Sequence, residues 1–257
     1  MEYLKWSHQD MIATITIDRP KANALSQGLL RELSAVLDEV EPNRDIRVIL
    51  IRGEGRFFSA GADIKEFTTL DTSEGFANLS TFGQDLFERM ETFPKPIIAA
   101  IHGAALGGGL ELAMSCHIRL VSENAKLGLP ELSLGIIPGF AGTQRLPRYV
   151  GKSMAAEMMF TSEPITGVEA VQRGLANHAY PDDELFENAN ILAKKIAQKS
   201  PLTLKAAIEL LNYSKSKEFY DGVKKEAELF GHVFTSEDGK EGISAFIEKR
   251  VPHFTGK

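Results

Sequence analysis

The residues from Pro96 to Cys116 constrain the fold most, because they form a long apolar stretch in the middle of the chain, PIIAAIHGAALGGGLELAMSC. Its only acidic or basic side chains are His102 and Glu111. A stretch of this length could cross a membrane. Its glycines and alanines make it only weakly hydrophobic, however, and the pattern breaks in two at the consecutive glycines 107–109. We therefore expect a buried strand, a turn and a buried helix.

The preceding part of the chain has the patterns of alternating strands and helices. Residues 11–18 alternate apolar and polar side chains as a half-buried strand does, and 47–53 form a continuous apolar run typical of a strand buried on both faces. Apolar residues recur at helical spacing over 26–40, behind a capping serine, and over 74–93. These patterns predict an α/β core up to about residue 150.

Strand signals fade after that point, and helical patterns dominate. Thr166 begins a capping-box sequence, TGVE, and helices are predicted over 183–199, 201–216 and 219–232. Pro201 is suited to the first turn of a helix. We therefore divide the chain into residues 1–198 and a helical C-terminal region, 199–257.

Composition argues against several functional classes. The formal net charge is -6 and no long basic run is present, so nucleic-acid binding is not expected. Cys116 is the only cysteine and cannot form an internal disulfide, and the first residues lack the pattern of a secretion signal, so we expect a cytoplasmic protein. The histidines form no HExxH motif, and Ser59 lacks a Gly-x-Ser-x-Gly context. His117 is interpreted as a residue at the edge of the core.

Two glycine-rich turns, FFSAGADIKEF at 57–67 and ALGGGLELA at 105–113, each follow an apolar run. Such turns can present unhindered backbone N–H groups, and two together could form an oxyanion hole. The alternative is that both are tight strand-to-helix turns in which glycine only permits close backbone approach. A dinucleotide-binding Gly-x-Gly-x-x-Gly motif is not present at 107–112, because its last position is Leu112.

Several ordered motifs carry a resemblance to one family: DRPKANALS, FSAGADIKE, PIIAAIHGAALGGGLELAMSC, LGLPELSLGIIPGFAGTQRL and the ending FIEKR. Through them the sequence resembles the crotonase (enoyl-CoA hydratase/isomerase) family over nearly its whole length. The resemblance implies an α/β fold, a spiral of strand-strand-helix repeats with a helical C-terminal region. Residues 1–198 would be the catalytic core and 199–257 an oligomerisation region. A homotrimer or homohexamer is expected.

The resemblance also implies a site for an acyl-CoA thioester. The backbone N–H groups of Ala62 and Gly108 match the oxyanion hole, and the N–H of Gly139 matches one that helps to place a water molecule. Coenzyme A would contact residues of both glycine-rich turns and of the C-terminal tail, namely Ala60, Ala62, Asp63, Ile64, Lys65, Gly108, Phe246 and Lys249. The last two match positions that approach the coenzyme A of a neighbouring subunit. The alternative for Lys249 is a solvated lysine on an amphipathic helix.

Two glutamates are the candidate catalytic residues. In hydratases of the family the positions of Glu111 and Glu131 are both glutamates that hold one water, whereas isomerases usually keep only the second. Two carboxylates in an apolar pocket do not both ionise easily, so one can act as base and the other as acid. We assign Glu111 to the water and Glu131 to the proton at C2. Taken singly, Glu111 could be a helix-start carboxylate and Glu131 a solvated loop residue.

The preferred function is hydration of a 2-trans-enoyl-CoA to a 3-hydroxyacyl-CoA in fatty-acid or related acyl-CoA breakdown. The alternatives are an enoyl-CoA isomerase, a hydratase for branched or aromatic acyl-CoA, and a non-catalytic RNA-binding relative. No metal or other cofactor is expected, because coenzyme A is part of the substrate, and no membrane association is expected. Two departures from the family pattern, His117 and the pair Ala141–Gly142, bear on a structural contact and on the shape of the acyl pocket.

Overall fold

A six-stranded sheet and a three-stranded sheet, surrounded by helices, form the framework of the chain. The computed structural model describes residues 1–67, 72–199, 201–212 and 217–252. The strands are β1 Leu4–Gln9, β2 Ile12–Ile17, β3 Val48–Gly53, β4 Ile97–Ile101, β5 Ala104–Leu106, β6 Ile118–Ser122, β7 Lys126–Gly128, β8 Ile165–Thr166 and β9 His178–Tyr180. The helices are α1 Gln27–Val40, α2 Ile64–Phe67, α3 Ser73–Glu91, α4 Gly108–Ser115, α5 Gly142–Thr161, α6 Gly167–Gln172, α7 Leu185–Ala197, α8 Pro201–Asn212, α9 Lys217–Phe234 and α10 Glu237–Glu248, with a short 3-10 helix at Pro130–Leu134.

The elements predicted from the apolar patterns are present, with small shifts at their ends. The Oγ of Ser26 accepts the N–H of Leu29 at 3.1 Å and so caps α1, as predicted. The capping box of Thr166 and Glu169 is confirmed at the start of α6. Two short strands, β8 and β9, follow residue 150, and they are too short to leave a periodic pattern. Residues 213–216 of the predicted helix 201–216, and residue 200 at the proposed boundary, lie outside the described residues.

The strand order shows how the chain winds between the two sheets. The large sheet has the order β1-β2-β3-β4-β6-β9 and is parallel except for the β1–β2 pair, while the small sheet has the order β5-β7-β8. Two pairs of consecutive strands, β4–β5 and β6–β7, each place their first strand in the large sheet and their second in the small sheet. A helix follows each such pair. This alternation is the expected spiral of strand-strand-helix repeats.

The large sheet is covered on both faces, which explains the uninterrupted apolar run of β3. One face packs against a ridge of α7 made of Leu185, Ala189, Ala193 and Ala197. Val48 and Leu50 belong to that cluster, whereas Ile49 and Ile51 face the main core, which includes α1. Alternate residues of one strand therefore fill two different cores.

Of the C-terminal helices, α9 packs on α3, and α10 packs on α9 and on the 3-10 helix. Phe76 of α3 stacks on Phe234 of α9 with ring centroids 3.9 Å apart, and Ile243 of α10 joins the same cluster. The assignment of residues 199–257 to oligomerisation stays a prediction. No helix in the described ranges combines the length and apolar character that a membrane crossing requires.

Candidate active site

Backbone register brings the two glycine-rich turns together. Ser59 and Ala105 form a parallel bridge, with the N–H of Leu106 donating to the carbonyl of Ser59 at 3.0 Å. Three residues further along each segment lie Ala62 and Gly108. A methyl group on Gly108 would lie 3.3 Å from the nitrogen of Ala62, so the two backbones are in close contact here.

The N–H of Ala62 points away from the neighbouring segment at Leu25. The Leu25 N–H donates to the carbonyl of Gly61 at 2.8 Å, and the Asp63 N–H donates to the carbonyl of Leu25 at 3.0 Å. In this parallel bridge the intervening residue, Ala62, directs its own N–H to the opposite side. That side is occupied by the start of α4, where the first N–H groups of the helix have no intrahelical acceptor.

Glu111 is buried in the first turn of α4 and its carboxylate is held by main-chain donors. Its side chain is 1% exposed. Its Oε1 accepts the N–H of Phe140 at 2.8 Å and the N–H of Gly142 at 2.7 Å. Ala141 between them has φ of 69°, and this left-handed residue lets the two N–H groups converge on one oxygen. These two donors fix the position of this carboxylate oxygen.

Glu131 follows β7, which pairs in parallel with β5, and its carboxylate lies in the same cavity as that of Glu111. Leu106 pairs with Gly128, so the chain leaves β7 at the edge where α4 begins, and Glu131 follows on the 3-10 helix. The alternative for Glu131 taken singly is a solvated loop; the chain instead forms this short helical segment. Gly107, with φ of 51°, lies under the carboxylate, and a methyl group there would be 2.6 Å from Oε1 of Glu131.

Both carboxylates line a cavity of about 530 Å³. The cavity also contains all but one of the remaining predicted site residues, namely Ala60, Ala62, Asp63, Ile64, Lys65, Gly108, Gly139 and Phe246. Lys249 does not line it; this residue ends α10 with an exposed side chain and φ of 56°. The contact of Phe246 and Lys249 with the coenzyme A of a neighbouring subunit stays a prediction, and in this chain Phe246 lines the cavity of its own subunit.

Apolar side chains form much of the wall: Phe140, and also Leu134, Ile136, Ile137 and Phe230, which sequence reasoning did not assign. The ring of Phe140 fits against Gly83, where a methyl group would come within 2.4 Å of it, and stands edge-on to Phe87 at 5.5 Å. The preceding glycine, Gly139, lies so close to the ring of Phe230 that a methyl group on it would be 2.7 Å from the ring. Only the helical spacing of apolar residues in α9 could have indicated Phe230.

The residues interpreted as structural have structural contacts. The Nδ1 of His117 accepts the N–H of Ile97 at 2.9 Å, and burial lowers the pKa of this histidine to about 4. Burial raises the pKa of the Cys116 thiol to about 12. The Oγ of Ser59 donates to the carbonyl of Asn23 at 2.8 Å, inside the protein. Within the described ranges no group of three or more His, Cys, Asp or Glu side chains is arranged to hold a metal ion.

Together these features define an α/β spiral protein with two carboxylates in one pocket. The family model for enoyl-CoA hydratase/isomerase matches residues 7–257. A Bacillus subtilis (strain 168) protein described as a probable enoyl-CoA hydratase is 57% identical, with all of both chains covered. A short-chain-enoyl-CoA hydratase of Clostridium acetobutylicum is 42% identical over 93% of this chain and 92% of its own. The crystal structure of an enoyl-CoA hydratase from Mycobacterium avium subsp. paratuberculosis superimposes with a TM-score of 0.88 at 25% identity, covering 98% of each chain. The chain belongs to the enoyl-CoA hydratase/isomerase family.

Proposed function

We propose that this protein is an enoyl-CoA hydratase, a hydro-lyase that adds water to a 2-trans-enoyl-CoA and forms a 3-hydroxyacyl-CoA in fatty-acid or related acyl-CoA breakdown. The observation that carries the proposal is the presence of Glu111 and Glu131 in one cavity. Isomerases of the family usually keep only the second glutamate, so Glu111 favours hydration. The hydratase names of the similar proteins support the same reaction.

The N–H groups of Ala62 and Gly108 act as the oxyanion hole. Addition of water to C3 places negative charge on the thioester oxygen, and fixed N–H donors stabilise that charge. Each donor contributes roughly 2.7–4 kcal/mol to transition-state stabilisation. The close approach of the two backbones at these residues supports this assignment.

The two glutamates divide the proton transfers. Glu111, held through Oε1, takes a proton from the water as the water oxygen bonds to C3, and the N–H of Gly139 helps to place that water. Glu131 gives a proton to C2, where the electron pair of the double bond has moved. The product therefore gains one oxygen and two hydrogens. Proton exchange with solvent returns both glutamates to their starting states.

Coenzyme A enters as part of the substrate, and the reaction requires no metal or redox group. Its chain runs beside Ala60 and the segment 62–65, with Phe246 at the same cavity. The active enzyme is a cytoplasmic homotrimer or homohexamer in which Lys249 reaches the coenzyme A of a neighbouring subunit. The charge of -6 agrees with the absence of a nucleic-acid partner.

The experiment that tests this function compares Glu111→Gln and Glu131→Gln in two reactions on one acyl chain. Each substitution should slow the hydration of crotonyl-CoA by about 10²–10⁴-fold, because each removes an acid–base group. Glu111→Gln should retain some conversion of a 3-enoyl-CoA to the 2-enoyl isomer, since that reaction needs no added water. Glu131→Gln should lose both reactions.

Light scattering on each variant provides the control for assembly. Normal hydration by both correctly assembled variants would place the chemistry elsewhere. Isomerisation by Glu131→Gln but not by Glu111→Gln would reverse the two roles. The absence of hydration by the unmodified protein, across 2-enoyl-CoA thioesters of increasing length, would reject the hydratase proposal itself.

A further inference from the structure

The carboxylate of Glu111 is held by the turn formed by residues 139–142. One peptide unit of this turn is hydrogen-bonded through both its N–H and its C=O. The N–H of Phe140 donates to Oε1 of Glu111. The carbonyl of the same peptide unit belongs to Gly139, and it accepts hydrogen bonds from the Oγ of Ser80 and, at 3.0 Å, from the Nε2 of Gln84. The unit therefore bridges α3 and Glu111.

A peptide unit is planar, and its C=O and N–H point in opposite directions when it is trans. Fixing the carbonyl of Gly139 consequently fixes the direction of the Phe140 N–H. Ser80 and Gln84 are one helical turn apart on α3 and so present their polar ends to the same point. The Nε2 of Gln84 also donates to the Oγ of Ser80 at 3.1 Å, which restricts both side chains.

The other donor to Glu111 is held differently. The N–H of Gly142 belongs to the peptide unit whose carbonyl is that of Ala141, and this carbonyl accepts the N–H of Arg145 at 2.9 Å at the start of α5. Helix α5 therefore orients this second donor through its own backbone. The first donor, in contrast, is held by side chains from another element, α3.

We infer that Ser80 and Gln84 are positioning residues, which hold the Gly139–Phe140 peptide so that its N–H fixes the carboxylate of Glu111. The inference rests on the proposed function of Glu111. Ser80 is fully buried and Gln84 is 3% exposed, and neither lines the cavity, so they act on the reaction through the turn rather than on substrate. Placing two polar side chains inside the protein is tolerated because each has a hydrogen-bond partner.

The test is the double variant Ser80→Ala/Gln84→Met, which removes both hydrogen bonds to Gly139 and keeps the approximate volume of Gln84. Hydration of crotonyl-CoA should show a kcat lowered about 10–10²-fold, because a misplaced catalytic group loses that much. The KM should change less than about twofold, since the coenzyme A contacts are untouched. Ser80→Thr, which keeps the hydroxyl, should retain a kcat near that of the unmodified protein.

Glu111→Gln provides a second measurement that a purely structural role would not move. If Ser80 and Gln84 act through Glu111, the double substitution should lower kcat by less than about twofold in a Glu111→Gln background. Thr166→Ala is the matched stability control, because it removes the α6 capping box away from the cavity and should leave kcat unchanged.

The kcat values of these variants decide whether Ser80 and Gln84 position Glu111. The single variant Gln84→Met gives the same comparison if the double variant does not fold. An unchanged kcat in a folded variant would overturn the positioning role. An equal loss of kcat in the unmodified and the Glu111→Gln backgrounds would also overturn it. In both cases hydration by the unmodified protein would still support the proposed function. The absence of hydration by the unmodified protein would instead reject the proposed function.

Discussion

Gly107 shows how one residue without a side chain sets the position of a carboxylate. Its backbone has φ of 51° and ψ of −128°, a conformation that residues with a Cβ rarely adopt. The position that a Cβ would occupy faces the carboxylate of Glu131. Gly107→Ala would bring a methyl group to 2.6 Å from Oε1 of Glu131. We expect hydration to fall at least about tenfold, because the proposed proton donor, Glu131, is displaced, and stability to fall by about 1–3 kcal/mol.

Gly151 offers the matched control for this prediction. It has a similarly unusual backbone, with φ of 77° and ψ of 159°, but a methyl group there would meet no atom within 4 Å. Gly151→Ala should therefore lower stability by a comparable amount in urea unfolding and leave kcat for crotonyl-CoA unchanged. Equal losses of kcat in both variants would show that strain alone, not the contact with Glu131, controls the reaction rate.

At the scale of elements, His117 joins two neighbouring strands of the large sheet. It lies just before β6 and accepts the first N–H of β4 through Nδ1. Its pKa is lowered from 6.5 to about 4 by burial, so the unfolded chain binds a proton in a range where the folded chain does not. The contribution of His117 to the free energy of unfolding should therefore be constant above about pH 6.5 and should decrease as the pH falls from 6.5 to 4.

The substitution His117→Asn isolates this contribution, because the amide oxygen can still accept the N–H of Ile97 but does not titrate. Between pH 7 and pH 5 the unmodified protein should lose about 2 kcal/mol more stability than the variant. Urea unfolding of both proteins at the two pH values measures the difference. Parallel loss of stability in the two proteins would contradict the assignment of a neutral, buried histidine.

Elements with a long periodic pattern could be predicted from the sequence, and elements defined by contacts could not. The alternation in β2 and the helical spacing in α1 and α3 follow from the faces that these elements bury. The strands β5 and β7 have only three residues each, so their pairing has no periodic signal. That pairing nevertheless places Glu131 beside Gly107.

Candidate site residues divide in the same way. Glu111 and Glu131 stand out because a carboxylate in an apolar stretch and its partner occur within motifs that resemble one family. Gln84 does not stand out, since a glutamine among the residues of an amphipathic helix is ordinarily exposed to solvent. Only the fold shows that Gln84 faces the carbonyl of Gly139. The signal for such a residue lies in three-dimensional contact rather than in spacing.

At the scale of the whole molecule, the role predicted for the C-terminal tail is contact with the coenzyme A of a neighbouring subunit. Phe246 lines the cavity of its own chain, whereas Lys249 does not. If Lys249 contacts the coenzyme A of a neighbouring subunit, Lys249→Ala should raise the KM for coenzyme A thioesters about two- to fivefold, as expected for an exposed ion pair. The kcat should change little, because this contact is far from the reacting carbons.

Steady-state kinetics with crotonyl-CoA and with a truncated thioester that lacks the nucleotide measure this effect. The KM for the truncated thioester should be the same in Lys249→Ala and in the unmodified protein. Light scattering at the assay concentration reports the oligomeric state and so tests the predicted trimer or hexamer. An unchanged KM for the full thioester in an assembled variant would remove Lys249 from the site.

Main-chain N–H groups hold Glu111, so the position of its carboxylate and the shape of the cavity wall can change independently in evolution. Since every residue except proline supplies an N–H, the side chain at position 140 can change without loss of its N–H donor, and here the residue is Phe140. The Phe140 ring forms part of the cavity wall while its nitrogen holds the carboxylate. Natural variation at this residue can therefore reshape the space for the acyl group while the hydration chemistry is inherited unchanged.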